Sequence, residues 1–210
     1  MNILLENGLP EELDGVPIYA DFRNMIRFEL ILQDESLSEA EKARFGLMQL
    51  FGELPPGGAQ RGIELLMWFY LGGKAPEDQA DGKVRRPERA YDFEKDAGRI
   101  YAAFLQAYGL SLTTVDFLHW WEFLALLEGL PEDTAMSQVM QWRTMDLSQI
   151  KDKGMRAHYA TLKKRFSLAS PAARERSIEE ITRRNKERVA RLFEAAEQRK
   201  KRPVPKHEAF

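Results

Sequence analysis

The run IELLMWFYL, residues 63–71, is apolar almost all the way round a helix. Such a helix has no broad face to give to water, so other elements must cover it on most sides. The run therefore belongs at the centre of a fold and demands a shell of amphipathic helices around it. With 210 residues, of which 44% are hydrophobic and 30% charged, the chain is long enough to provide that shell and has the balance of a globular protein.

The shell is readable on both sides of the run. In LPEELDGVPIYADF, a turn at Asp14-Gly15 separates two short arms, which predicts a small hairpin with Val16, Ile18 and Tyr19 on its second strand. Asp21 is placed to cap a helix reaching about Gln33, with Phe22, Met25, Ile26 and Leu30 on one face. Ser38 followed three residues later by Glu41 is a capping box, and Ala43, Leu47, Leu50 and Phe51 follow at helical spacing until PPGG at 55–58 stops the helix.

After the central run the chain turns polar. GGKAPEDQADGKVRRPER has no apolar period, and residues 72–90 are expected to form a mobile loop. Next, Phe93, Ala97, Ile100, Tyr101, Phe104, Leu105 and Tyr108 predict a long helix closed by Gly109. A second helix is expected from a Thr cap at 113 or 114, carrying Phe117, Trp120, Trp121, Leu124 and Leu127 and closed by Gly129, and the short connection favours an antiparallel pair.

TAMSQVMQWR is a further short helix with Met136, Val139 and Met140 inward. MRAHYATLKKRF is another, with a stripe of Met155, Tyr159, Leu162 and Phe166. Ser170 and Pro171 open a long charged segment whose thin stripe, Ile178, Ile181, Val189, Leu192, Phe193 and Ala196, suits an extended helix that wants a partner.

The expected fold is mainly α. Six to eight helices form a bundle with a small N-terminal β-hairpin and an extended charged C-terminal helix. Residues 1–71 and 91–168 make one domain across the 72–90 loop, and 169–210 are an appendage that frays at its end.

Charge divides the same way. Residues 171–210 carry 12 Lys and Arg against 7 Asp and Glu, which leaves a net −7 on residues 1–170. Nine of those bases, Arg184, Arg188 and Arg191 among them, could contact phosphates, but glutamates at 179, 180, 187, 194 and 197 are interleaved as on a solvated helix. Nucleic acid is thus a disfavoured partner.

Catalysis finds little support. The chain has no cysteine, which removes disulfides, thiolate metal sites and cysteine nucleophiles. His119 stands between Asp116 and Glu122, each three residues away, an arrangement that gives one hydrogen bond rather than an oriented triad. The glycines lack phosphate-loop spacing, and Asp92, Glu94 and Asp96 alternate in direction on a helix, so they read as first-turn acids that suit the helix dipole rather than metal ligands. No enzyme activity, metal or cofactor is expected.

Trp120, Trp121, Met136, Met140, Trp142 and Met145 form an aromatic and methionine-rich block that serves either as core or as a groove for a partner. The N-terminus lacks the basic start and apolar run of a signal peptide, and no apolar stretch reaches the roughly 18 residues of a membrane helix, so a soluble intracellular protein is expected.

YDFEKDAGRIYAAFLQAYGL, LHWWEFLALLEGLPEDT and QWRTMDLSQIKDKGMRAHYATLKKRFSL, with DGVPIYADFRNMIRFELILQ before them, resemble the bacteriophage gene-product-fifteen family over roughly residues 3–168. The family comprises tail-region proteins of siphoviruses and prophages. The resemblance implies a non-enzymatic tail assembly chaperone that escorts the tape-measure protein and meets other tail proteins, with a structural tail or neck component as the alternative and a nucleic-acid-binding regulator behind it.

It carries over no catalytic residue. Candidate partner contacts are His119, Trp120, Trp121, Phe123, Met140, Trp142 and Arg143, with Arg184, Arg188 and Arg191 on the C-terminal extension, through which the chain could also pair with itself.

Overall fold

A hairpin, seven α-helices and one short 3-10 turn follow one another along the residues that the computed structural model describes, 8–53, 55–73 and 89–168. They lie in a unit spanning Met1–Phe166; Ser167–Phe210 form a second unit, and the expected C-terminal helix with Arg184, Arg188 and Arg191 lies outside the described residues. So does most of the expected 72–90 loop.

Strands β1 (Glu12–Leu13) and β2 (Val16–Pro17) pair antiparallel with Leu13 opposite Val16. Asp14 and Gly15 both take positive φ, 48° and 75°, which is the geometry of a tight two-residue hairpin turn. The second strand ends before Ile18 and Tyr19; the Tyr19 N–H donates instead to the Leu50 carbonyl at 2.7 Å, tying the hairpin to a helix end.

Helix α1 (Phe22–Gln33) is capped by Asp21, which accepts from the Arg23 N–H at 3.0 Å. Its buried face is Phe22, Met25, Phe28 and Glu29, while Ile26 is half-buried and Leu30 exposed, so the face is rotated from the expected one. Buried Glu29 explains the rotation: it accepts from the Tyr70 hydroxyl at 2.6 Å and from Arg89 at 2.7 Å, so the charge is fully partnered inside.

Helix α2 (Glu39–Phe51) has the predicted capping box, Ser38 N–H to Glu41 Oε2 at 2.9 Å and Glu41 N–H to Ser38 Oγ at 3.3 Å. It ends at Gly52, which adopts φ 74°, rather than at the prolines. A Cβ on Gly46 would sit 2.5 Å from the Phe28 ring, so only glycine lets α1 approach α2 this closely.

Helix α3 (Gly58–Tyr70) starts five residues before the apolar run. From Ile63 to Leu71 only Glu64 is exposed; Leu65, Leu66 and Phe69 are buried, Ile63, Met67, Trp68 and Tyr70 are half-buried against the core, and Leu71 is half-buried.

Two boundaries differ from the periodicity. Helix α4 spans Ala97–Tyr108, because residues 93–96 form a separate turn, and Gly109 closes it with φ 64°. Leu105 and Tyr108, expected on its apolar face, are exposed.

Helix α5 is only Trp120–Glu128. The segment before it pairs with the start of α1: the Phe22 N–H donates to the Leu118 carbonyl at 2.9 Å and the Trp120 N–H to the Ala20 carbonyl at 2.8 Å. Arg23 further holds the Leu112 and Val115 carbonyls at 3.1 and 2.6 Å. These long-range bonds outcompete a helical turn through β-branched Thr113, Thr114 and Val115, and Phe117 is left exposed.

Helix α6 (Ala135–Thr144) is capped by Thr134, and a 3-10 turn at Leu147–Gln149 leads to α7 (Lys153–Phe166). Helix α1 packs on α2 and α5, α2 on α3, α4 on α5 and α6, and α6 on α7.

Candidate functional site

Phe123 is the hub of an aromatic centre. Its ring stacks on Phe22 at 4.9 Å, Phe104 at 5.1 Å and Trp120 at 5.6 Å, joining α1, α4 and α5 around one fully buried side chain. The tandem tryptophans have a second task. The last carbonyls of a helix lack intrahelical donors, and here the Trp120 and Trp121 indole N–H groups donate to the Tyr70 and Phe69 carbonyls at 2.9 and 2.8 Å. Gly73, at φ 78°, lies so close under Trp121 that a Cβ would come within 2.8 Å of its ring.

His119 is the N-cap of α5. Its Nδ1 accepts from the Trp121 N–H at 3.0 Å, and Nε2 faces the Pro10 carbonyl at 3.2 Å, which requires the proton on Nε2. Glu122 completes a capping box by accepting from the His119 N–H at 3.3 Å. Burial pushes the imidazole pKa down from its ordinary value, so the ring is neutral at pH 7 with both nitrogens engaged. Asp116 makes no hydrogen bond to this ring; the partner on that side is the distant Pro10.

A second buried polar cluster joins α4, α6 and α7. Arg143, only 6% exposed, donates to Asp96 at 2.5 and 3.1 Å, to the Ala90 carbonyl at 3.0 Å and to the Phe166 carbonyl at 2.7 Å. Asp92 and Asp96 are fully buried and precede α4, which corrects their reading as first-turn acids that suit the helix dipole. Asp92 caps the turn at Glu94 and Lys95, while Asp96 is the counter-charge of Arg143.

Nearby, burial and the Glu29 carboxylate push the Tyr91 hydroxyl up to about 12 and raise that of Tyr70 further. Both phenols therefore keep their protons, and that of Tyr70 is donated to Glu29. The sequence signal for Arg143 was present in its spacing, four and seven residues after Val139 and Met136 on one helical face; a base on an apolar face needs a buried acid.

The partner-contact candidates separate accordingly. His119, Trp120, Trp121, Phe123 and Arg143 are interior. Met140 and Trp142 are half-buried, and Trp142 lies against Phe166 of α7 at 5.0 Å. Among the described residues no three His, Asp or Glu gather as metal ligands, and no described helix is long and apolar enough to cross a membrane.

The open surface instead holds a furrow of about 550 Å³. Ala40, Ala43, Arg44, Leu47 and Met48 line it along α2, with Gly52 and Glu53 at one end and Ala59 of α3 opposite. The α2 positions recur every three or four residues, and the two alanines hollow the surface. The shape suits the ridge of another helix.

No curated protein and no solved structure matches the chain. The family described as bacteriophage Gp15 protein matches residues 6–168, which span the hairpin, the aromatic centre, the Arg143 cluster and α7. The chain belongs to the bacteriophage Gp15 family.

Proposed function

We propose that the chain is a non-enzymatic tail assembly protein that chaperones the tape-measure protein by holding a helical segment of it in the α2–α3 furrow. The observation that carries this reading is the furrow itself, an apolar, helix-spaced surface trough on a protein of a phage family. Phage assembly needs reversible protein contacts, and an amphipathic helix laid in a shallow groove provides one without chemistry. The interior histidine, held neutral and doubly hydrogen-bonded, adds no competing catalytic reading.

The test is co-expression with the tape-measure protein of the same phage, comparing the native chain with Ala40→Arg, an exposed position in the furrow. The native chain is expected to copurify with the tape measure and to be missing from purified virions, while the variant folds but loses the tape measure. Equal recovery by the variant overturns the furrow as the site. Recovery of the chain in virions moves a structural tail or neck role to the front.

A further inference from the structure

The tip of the β1–β2 hairpin is a chemically fragile step. When glycine follows an aspartate, no side chain covers the next main-chain nitrogen, and that nitrogen lies within reach of the aspartate's own carboxyl carbon. Asp14-Gly15 is such a pair, and both residues are exposed. A Cβ on Gly15 would meet nothing within 4 Å, so no neighbour shields the junction from the other side.

One side chain restrains it. Arg61 of α3 grips the Asp14 carboxylate with two nitrogens, Nε donating to Oδ2 at 2.7 Å and Nη2 to Oδ1 at 3.1 Å. Glu64, three residues further along α3, accepts from Arg61 Nη1 at 3.3 Å and steadies the guanidinium. A fork of this kind fixes the orientation of a carboxylate as well as balancing its charge. The same hydrogen bonding holds the Asp14 carboxyl below the usual carboxylate range. Ring closure on an aspartate consumes the protonated acid, whose hydroxyl can leave as water, so both effects of Arg61 oppose it.

We propose that Asp14-Gly15 is a site of spontaneous isoaspartate formation and that Arg61 restrains the reaction by clamping the Asp14 carboxylate. The Gly15 nitrogen attacks Asp14 Cγ; a C–N bond forms, and the amide proton leaves with the carboxyl hydroxyl as water. A second water opens the cyclic imide at the Asp14 main-chain carbonyl carbon, and Gly15 stays joined through Cγ. Composition is unchanged, but Asp14 Cβ now lies in the main chain and lengthens a turn that is tight by construction. The pairing of Leu13 with Val16 and the bond from the Ile18 N–H to the Glu11 carbonyl at 3.0 Å are the contacts this disturbs.

The test is to age the full chain in neutral buffer and follow the isoaspartyl fraction at residue 14. Electron-transfer fragmentation of the isolated peptide separates it from a further Asp-Gly pair at 81–82. Arg61→Ala is expected to form isoaspartate at Asp14 several-fold faster than the native chain. A pair this exposed contributes little to stability, so the variant is expected to fold, which circular dichroism checks. Arg61→Lys, which keeps the charge and loses the fork, is expected to fall between the two. Equal rates in the native chain and in Arg61→Ala overturn the role of Arg61. An Asp14 that stays aspartyl in Arg61→Ala overturns the site itself.

Discussion

The aromatic centre and the α6–α7 end are held together by different physics. Around Phe123, rings from three helices stack and two indole N–H groups bond the end of α3, so many contacts share the load. At α6–α7 the Arg143 guanidinium bridges Ala90, Asp96 and Phe166, Trp142 packs on Phe166 and Lys163 donates to the Met145 carbonyl at 2.9 Å, while no residue of α7 is fully buried. Redundant apolar packing makes the first region a fixed scaffold. A few contacts around one buried ion pair make the second more easily released, and such an element is what a protein exchanging partners can use.

The largest expected effect is on the scaffold. Phe123→Ala empties the middle of the stack and should lower stability by about 4 kcal/mol, read as a falling denaturation midpoint. Arg143→Leu leaves the buried Asp96 carboxylate without its main counter-charge and should cost about 3 kcal/mol. Adding Asp96→Leu should recover part of that loss. A double variant worse than the single one would break the contrast, by showing that the cluster acts through packing rather than charge.

His119 gives a smaller, pH-dependent effect. Its folded pKa lies below the ordinary 6.5, so the unfolded chain binds more protons there. The stabilisation is complete above pH 6.5 and is lost as pH falls through 6.5 toward the folded value. In His119→Asn, which keeps a capping oxygen, that slope should vanish from urea titrations at a series of pH values. Smallest is Met155→Ser on the exposed half of α7, expected to change stability by less than about 0.5 kcal/mol. A larger loss would mean α7 is better supported than its exposure indicates.

The hairpin turn at Asp14-Gly15, the Asp21 and Ser38 caps and the covered 63–71 run could all be read from residue order, because each is decided within a few neighbours. The start of α5 could not. Periodicity over 113–129 is helical, yet Arg23 and the α1 backbone, some ninety residues away, claim the carbonyls and N–H groups that an earlier turn would need.

The histidine was misplaced for the same reason. Once the helix begins at Trp120, the three-residue step from His119 to Glu122 is a capping box with imidazole in place of a hydroxyl, a signal visible in the sequence but masked by the wrong boundary. Asp96 and Arg143 are 47 residues apart, and only the packing of α4 on α6 brings them into register. The furrow was invisible for a further reason: Ala40 and Ala43 read as ordinary helix residues until α3 lies beside them.

The positions of the tryptophans give each region its own light. Trp120 and Trp121 are sealed in the scaffold with their indole N–H groups bonded, whereas Trp142 is half-buried on α6 against Phe166. Trp142 emission, isolated by difference against Trp142→Phe, should respond when a partner covers or pulls on α7. The sealed pair should stay silent until the whole chain melts, and half-buried Trp68 cancels in the difference, so intrinsic fluorescence separates docking from unfolding without an external label.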